Sequence, residues 1–376
     1  MIMTRSAFSP FVRRLSIYIG VLAAIILPSA CDVHEFPEEW ETPEVPFILN
    51  LECNISNPVF QEIDYSFSRT TADPAASSTN PAPAFPHDIR YKVSVFNVQS
   101  ARAEVRHPDT TFVFSGPASE NMKFTAVLPL EEGLYDFYAW GDFVPANTQA
   151  DNYYNTSDFA NITLADRENH IGNTPYRDAF RGYEQVRVSK RAPIEDGVAR
   201  NEADVTLVRP LGMFKFISTD YEAFLGIEKD KVASRNEAQT TDKQNGPEDN
   251  RVVSLADYRV VFRYTGFMPS AFNMFTDKPA DAWTGQSFEG KLTPISATEV
   301  ELGFDYVFVN GKNTSVSVAV EIYDKEGNLI GNSPVIEVPL LRSQQTLVRG
   351  KFLTTQTGGS LGIDTEFDGA YDIQIR

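Results

Sequence analysis

The 376-residue chain is poor in the residues that most often carry chemistry or staple a fold. It has two cysteines, Cys31 and Cys53, and four histidines. Two thiols close at most one disulfide, so the fold has to rest on a hydrophobic core. His34, His87, His107 and His170 are scattered, with no His-Glu-x-x-His and no paired Cys/His spacing, so neither a metal nor a cofactor is expected. Positive charge is scarce: 33 Lys and Arg stand against 51 Asp and Glu. Such a surface repels nucleic acid and anionic lipid heads, which removes both as electrostatic partners. Long apolar runs are absent too. The stretch 15–27 covers 13 residues and includes Ser16, Tyr18 and Gly20, short of the roughly 20 that a membrane-spanning helix needs.

That stretch has another use. It follows Arg5, Arg13 and Arg14 and leads into Pro28-Ser29-Ala30-Cys31, the basic, apolar and small-residue order of a secretory signal peptide. Residues 1–30 are therefore set aside from the fold, and Cys31 becomes the first mature residue. A cysteine there takes a diacylglyceryl group on its sulfur and an acyl group on its freed amine. At about 0.8 kcal/mol per buried methylene, two or three chains anchor stably. Ser29, Ala30 and Cys31 match a bacterial lipobox, with Pro28 where Leu is usual. Cys31 is thus the candidate lipidation site, which leaves Cys53 without a partner. Without the leader, 30 basic residues face 51 acidic ones, a net charge of −21. Residues 31–46 carry six carboxylates and three prolines and no Lys or Arg, so self-repulsion and proline stiffness make them an extended spacer.

From residue 47 onward, apolar residues recur at every second position, the period of a half-buried strand. Between 315 and 324, Val316, Val318, Val320 and Ile322 share one face, and Ser315, Ser317, Ala319, Glu321 and Tyr323 the other. Asn310-Gly311 before this run signals a tight hairpin, and Asp324-Lys325-Glu326-Gly327-Asn328 after it signals another, giving three successive antiparallel strands. The same pattern predicts strands at 91–98, 122–128, 134–140, 205–209, 213–217, 258–264, 346–354 and 371–375. Helical spacing is confined to Tyr221, Phe224 and Leu225 behind Thr219 as a cap. Segments 68–88 and 228–251 break the strand pattern and read as surface loops or disordered insertions. Many short strands between Gly, Pro and Asn turns make the chain all-β. Two β-sandwich domains are expected, at 47–200 and 201–376, divided by the polar segment 189–201.

Catalytic motifs find no support around them. Gly358-Gly359-Ser360-Leu361-Gly362 fits the G-x-S-x-G elbow of α/β-hydrolases, but no histidine follows it and no helix pattern comes after it. A Gly-rich turn is the expectation. The 324–328 segment has oxygen ligands and a glycine without the spacing of a calcium loop. Trp140, inside Tyr135-Asp136-Phe137-Tyr138-Ala139-Trp140, either stacks sugars or fills a core, and core is expected. The chain is read as a non-enzyme without a small-molecule substrate.

Three segments carry a family resemblance. Leu128-Pro129-Leu130-Glu131-Glu132-Gly133-Leu134-Tyr135-Asp136 with Ala139-Trp140-Gly141 resembles a strand-turn-strand signature of the fimbrillin-associated anchor lipoproteins of Bacteroidetes. So does Val205-Thr206-Leu207-Val208-Arg209-Pro210-Leu211-Gly212. Near the end, Val338-Pro339-Leu340-Leu341-Arg342-Ser343-Gln344-Gln345-Thr346 with Arg349-Gly350-Lys351-Phe352-Leu353-Thr354 is similar to their Arg-Asn-x-x-Thr and Gly-x-x-Leu-Thr pattern, with Ser343 in place of the Asn. The acidic spacer behind Cys31 resembles the surface-export signal of lipoproteins from the same bacteria. The resemblance implies two tandem transthyretin-like Greek-key sandwiches on a lipid-anchored protein of the bacterial outer membrane, exposed at the surface as anchor or minor subunit of a fimbria. It further implies a fimbrial shaft subunit as partner, joined by β-strand addition, with Tyr371, Ile373 and Ile375 as a strand to donate or simply to close the second domain. The alternative is a free-standing surface lipoprotein that binds glycans or host proteins through aromatics near Trp140 or Trp283.

Overall fold

A computed structural model describes residues 44–54, 59–64, 87–98, 110–117, 121–191, 194–195, 198–199, 201–240, 253–311 and 313–355. Cys31, the 358–362 segment and the expected strand 371–375 lie outside the described residues. The first part of the chain forms β1 (Val45–Asn54), β2 (Val59–Asp64), β3 (His87–Asn97), β4 (Thr110–Pro117), β5 (Asn121–Leu130), β6 (Gly133–Pro145), β7 (Tyr154–Asn155), β8 (Ile162–Leu164), β9 (Ala179–Val188), β10 (Ile194–Glu195), β11 (Val198–Ala199) and β12 (Asn201–Leu207). The second forms β13 (Leu211–Ser218), a helix α1 (Tyr221–Thr240), β14 (Arg259–Tyr264), β15 (Met268–Asn273), β16 (Lys278–Trp283), β17 (Ser287–Gly290), β18 (Thr293–Pro294), β19 (Val300–Phe308), β20 (Asn313–Tyr323), β21 (Leu329–Asn332), β22 (Ile336–Leu341) and β23 (Gln344–Gly350).

Alternation along strands such as β12 and β20 leaves one apolar face, β13 is buried on both, and facing sheets bury these faces against each other. In the first sandwich the sheet β12-β1-β5 packs on β4-β3-β6-β9. Phe47, Leu49, Leu51 and Cys53 of β1 are fully buried, and Phe47 stacks on Phe137 of β6 at 5.0 Å. In the second, β18-β19-β13-β23-β2 packs on β17-β14-β20-β21, with β22 also paired to β20. Phe262 of β14 stacks on Phe288 of β17 at 4.7 Å and meets Phe216 of β13 edge-on at 5.3 Å. Each such ring contributes about 1.5–3 kcal/mol by leaving water. A further sheet, β16-β15-β8-β7, takes two strands from each part of the chain. Trp140 is fully buried beside it, 5.4 Å from Tyr154 and 6.4 Å from Phe272, so it is a core residue.

Several expectations change. Asn310-Gly311 does not close a hairpin: β19 pairs with β13 and β18, whereas β20 pairs with β14, β21 and β22. Gly311 does take the left-handed φ of 67°, but a turn's backbone preference does not decide which layer the next strand enters. The 324–328 turn is the expected hairpin, with Gly327 at φ 82° and the Asp324 carboxylate accepting Asn328 N–H at 2.8 Å. Residues 228–240, expected as loop, belong to α1. Tyr221 and Phe224 bury its first turn, and Glu228 accepts from Tyr258 Oη at 2.8 Å. With nucleation accomplished by this anchoring, a polar sequence propagates as helix. Thr219 is no cap, since its N–H and hydroxyl both donate to Gly350 O. β12 lies parallel to β1 and lends Ala203, Val205 and Leu207 to the first core. Val45 and Pro46, read as spacer, already pair with Leu130 and Pro129.

Candidate functional site

Residues 338–354, singled out by their pattern, carry the chain from β22 in one sheet of the second sandwich to β23 in the other. β22 turns its Ile336, Val338 and Leu340 inward, and the chain crosses to the other sheet through Arg342-Ser343. Ser343 N–H donates to Leu211 O at 2.8 Å, and Arg342 donates to the Asp277 carboxylate at 2.7 Å and to Val309 O at 3.3 Å. Ser343 sits at φ 58°, a region that Asn and Gly occupy most readily. That is a physical reason for the Asn of the pattern, and it makes Ser the strained choice. Past β23 the Asp220 carboxylate accepts N–H from Leu353 at 3.4 Å and Thr354 at 2.8 Å, and Ser218 Oγ accepts from Phe352 N at 3.0 Å.

β23 stands between two parallel partners. On one side is β13, in register from Met213↔Gln345 to Ser218↔Gly350. On the other is β2, from Val59↔Gln344 to Asp64↔Arg349. The segment 45–64 thus gives β1 to the first sandwich and β2 to the second. β2 ends its sheet. The edge of β23 is therefore filled by an extended segment from the far end of the chain. Gln345, opposite Phe60, is fully buried, and neither atom of its amide has a hydrogen-bond partner among the described residues. An unpaired buried polar group costs about 1–3 kcal/mol.

A charged cluster lies between the two sandwiches. Arg209 pairs with Asp178 at 2.7 Å, and Arg181 and Arg342 reach Asp277 at 2.9 and 2.7 Å. Deeper in, Asp305 of β19 accepts from Tyr264 Oη at 2.8 Å and from Arg177, with His170 Nε2 at 2.7 Å. Burial works to raise the Asp305 pKa, but Arg177 and His170 outweigh it and hold it below the usual carboxylate range. Burial and Arg177 lower the His170 pKa. Sequence reading missed this cluster: Arg177 and Asp305 are 128 residues apart, and a buried charge leaves no periodic trace.

Among the described residues no group of three or more His, Cys, Asp or Glu could hold a metal ion. None of their helices is long and apolar enough to cross a membrane. Cys53 is a free, buried thiol whose pKa burial pushes up, which suppresses the reactive thiolate. Trp283 is partly buried against the second core.

The profile of a family of unknown function, DUF6562, matches residues 44–376. No curated protein matches the chain. Among solved structures it is similar to the fimbrial anchor protein Mfa2 from Porphyromonas gingivalis, at 13% identity and a TM-score of 0.34 over 76% of this chain and 82% of that one. The tip fimbrial protein Mfa3 from the same organism aligns at 11% identity and a TM-score of 0.35 over 79% and 81%. A candidate cell adhesion protein from Bacteroides ovatus aligns at 11% identity and a TM-score of 0.38 over 80% and 91%. Scores this low establish neither a common fold nor a common role.

Proposed function

We propose that this chain, which belongs to the DUF6562 family of unknown function, is a non-enzymatic surface lipoprotein that anchors a fimbria or forms a minor subunit of one. Lipid on Cys31 holds it to the bacterial outer membrane, the acidic spacer carries it clear of the surface, and two transthyretin-like Greek-key sandwiches meet a fimbrial shaft subunit. The join is β-strand addition. The observation that carries this reading is the edge of β23, where a remote segment is laid in parallel on the last described strand. The unpaired amide of Gln345 supports it, because an added strand with a polar side chain at that position would satisfy a buried donor and acceptor. The glycan-binding alternative loses its first aromatic, Trp140, to the core.

The test is a tagged pulldown of the intact lipoprotein from gently solubilised outer membranes, with partners identified by mass spectrometry. Recovery of a fimbrillin-like shaft subunit, lost on deletion of residues 371–376 or on Gln345→Leu, is the expected result. A prey set without such a subunit, from cells shown to make fimbriae, overturns the reading. Cys31→Ala should move the protein from the membrane to the soluble fraction.

A further inference from the structure

One buried imidazole stands between a cation and an anion, with the same ring nitrogen facing both. His170 lies between β8 and β9 with its side chain 2% exposed. Its Nε2 is 3.0 Å from Arg177 Nη1 and 2.7 Å from Asp305 Oδ2. A single ring nitrogen serves only one of them. A neutral ring with its proton on Nδ1 accepts from Arg177; the Nε2–H tautomer and the imidazolium donate to Asp305, and the imidazolium has no lone pair left for Arg177. The other occupants of the site are fixed. Tyr264 of β14 donates to Asp305 Oδ2, while Arg177 and Tyr306 N–H donate to Oδ1. Arg177 also donates to Tyr306 O at 3.2 Å, and the rings of Tyr264 and Phe288 stand edge-on to the imidazole at 5.8 and 6.0 Å. The next ion pair outward, Asp178 with Arg209, is balanced within itself. With neutral His170 the knot holds one cation and one anion. With imidazolium it holds an extra positive charge, buried and facing Arg177, which is costly.

We propose that His170 is a proton-operated latch on the joint between the two sandwiches. At neutral pH its lone pair and the Arg177–Asp305 pair hold residues 165–178 against β19. Uptake of one proton in mildly acidic surroundings breaks the His170–Arg177 contact and loosens that segment, while the β16-β15-β8-β7 sheet goes on joining the halves. The proposal does not depend on what the strand edge binds.

The test is amide hydrogen exchange on the full mature chain, corrected for intrinsic rates, at neutral and mildly acidic pH, for wild type and His170→Gln. Glutamine keeps an acceptor for Arg177 and cannot take a charge. In wild type, opening of 165–178 and of β19 should rise by up to about tenfold per pH unit below about pH 6.5, with β1 unaffected. His170→Gln should lack this response. An equal response in both proteins, or none in wild type, overturns the proposal. If His170→Gln does not fold, an NMR titration in a His87→Asn background decides. One imidazole titrating below the ordinary histidine range, in step with the exchange, is expected. All remaining histidines in the ordinary range would refute the latch.

Discussion

The two sandwich cores and the joint between them are held by opposite chemistry. The cores are rings and branched aliphatics: Phe47 on Phe137 in one, Phe262 on Phe288 and Phe216 in the other. At the joint three aspartates, Asp178, Asp277 and Asp305, each meet arginine. Apolar burial is non-directional, so many well-filled arrangements serve equally. Ion pairs gain only at set distances, after a desolvation cost that apolar groups never meet. The cores therefore supply stability, and the joint supplies directional contacts.

The comparison is broken most severely from the core side. Phe262→Ala removes contacts to both Phe288 and Phe216 and should cost about 3–5 kcal/mol in denaturant unfolding. A loss under about 1 kcal/mol would mean the ring stack is not a stability centre. At the joint, Asp305→Ala leaves Arg177 buried and unpaired and should cost about 3 kcal/mol. Asp277→Ala, at a side chain that is 37% exposed, should cost under about 1 kcal/mol. Equal effects of the two would remove the distinction between deep and peripheral pairs.

Acid sharpens the contrast further. The His170 pKa is lowered in the fold, so the unfolded chain binds the proton first. That stability is present above about pH 6.5 and is lost as pH falls, by up to about 1.4 kcal/mol per unit. Asp142 acts in the other direction. Burial pushes its pKa up to about 6, against the pull of Arg90, so its contribution grows as pH falls through that value. Asp142→Asn should therefore make the acid loss of Tm steeper than in wild type; an unchanged slope would show that Asp142 stays ionised. The smallest effect is expected at the strand edge. Ser343→Gly relieves a left-handed φ of 58° and should stabilise by about 1 kcal/mol in denaturant unfolding; a loss of stability would show that the Ser343 Oγ–Arg209 O hydrogen bond outweighs the strain.

The half-buried strands were legible because burial of one face writes a period of two into the chain. β20 follows its alternation residue by residue, and β14 starts one residue from its expected position. Segment 338–354 stood out as a pattern, and the left-handed Ser343 explains part of it. What that segment does was not legible. β2 reaches β23 across most of the sequence, with no local signal for the pairing. The polar stretch after Glu228 carried no apolar stripe, so only its anchored first turn shows why it is helix.

By itself the sequence determined the strand alternation and the all-β class, because those depend on neighbours two residues apart. Tertiary structure alone decided which layer each strand enters, that Asn310-Gly311 crosses between sheets, that β2 covers β23, and that His170, Arg177, Tyr264 and Asp305 share one buried knot. These features rest on contacts between residues far apart in the chain. Their free energy appears only after the loops between them have closed and water has left the site.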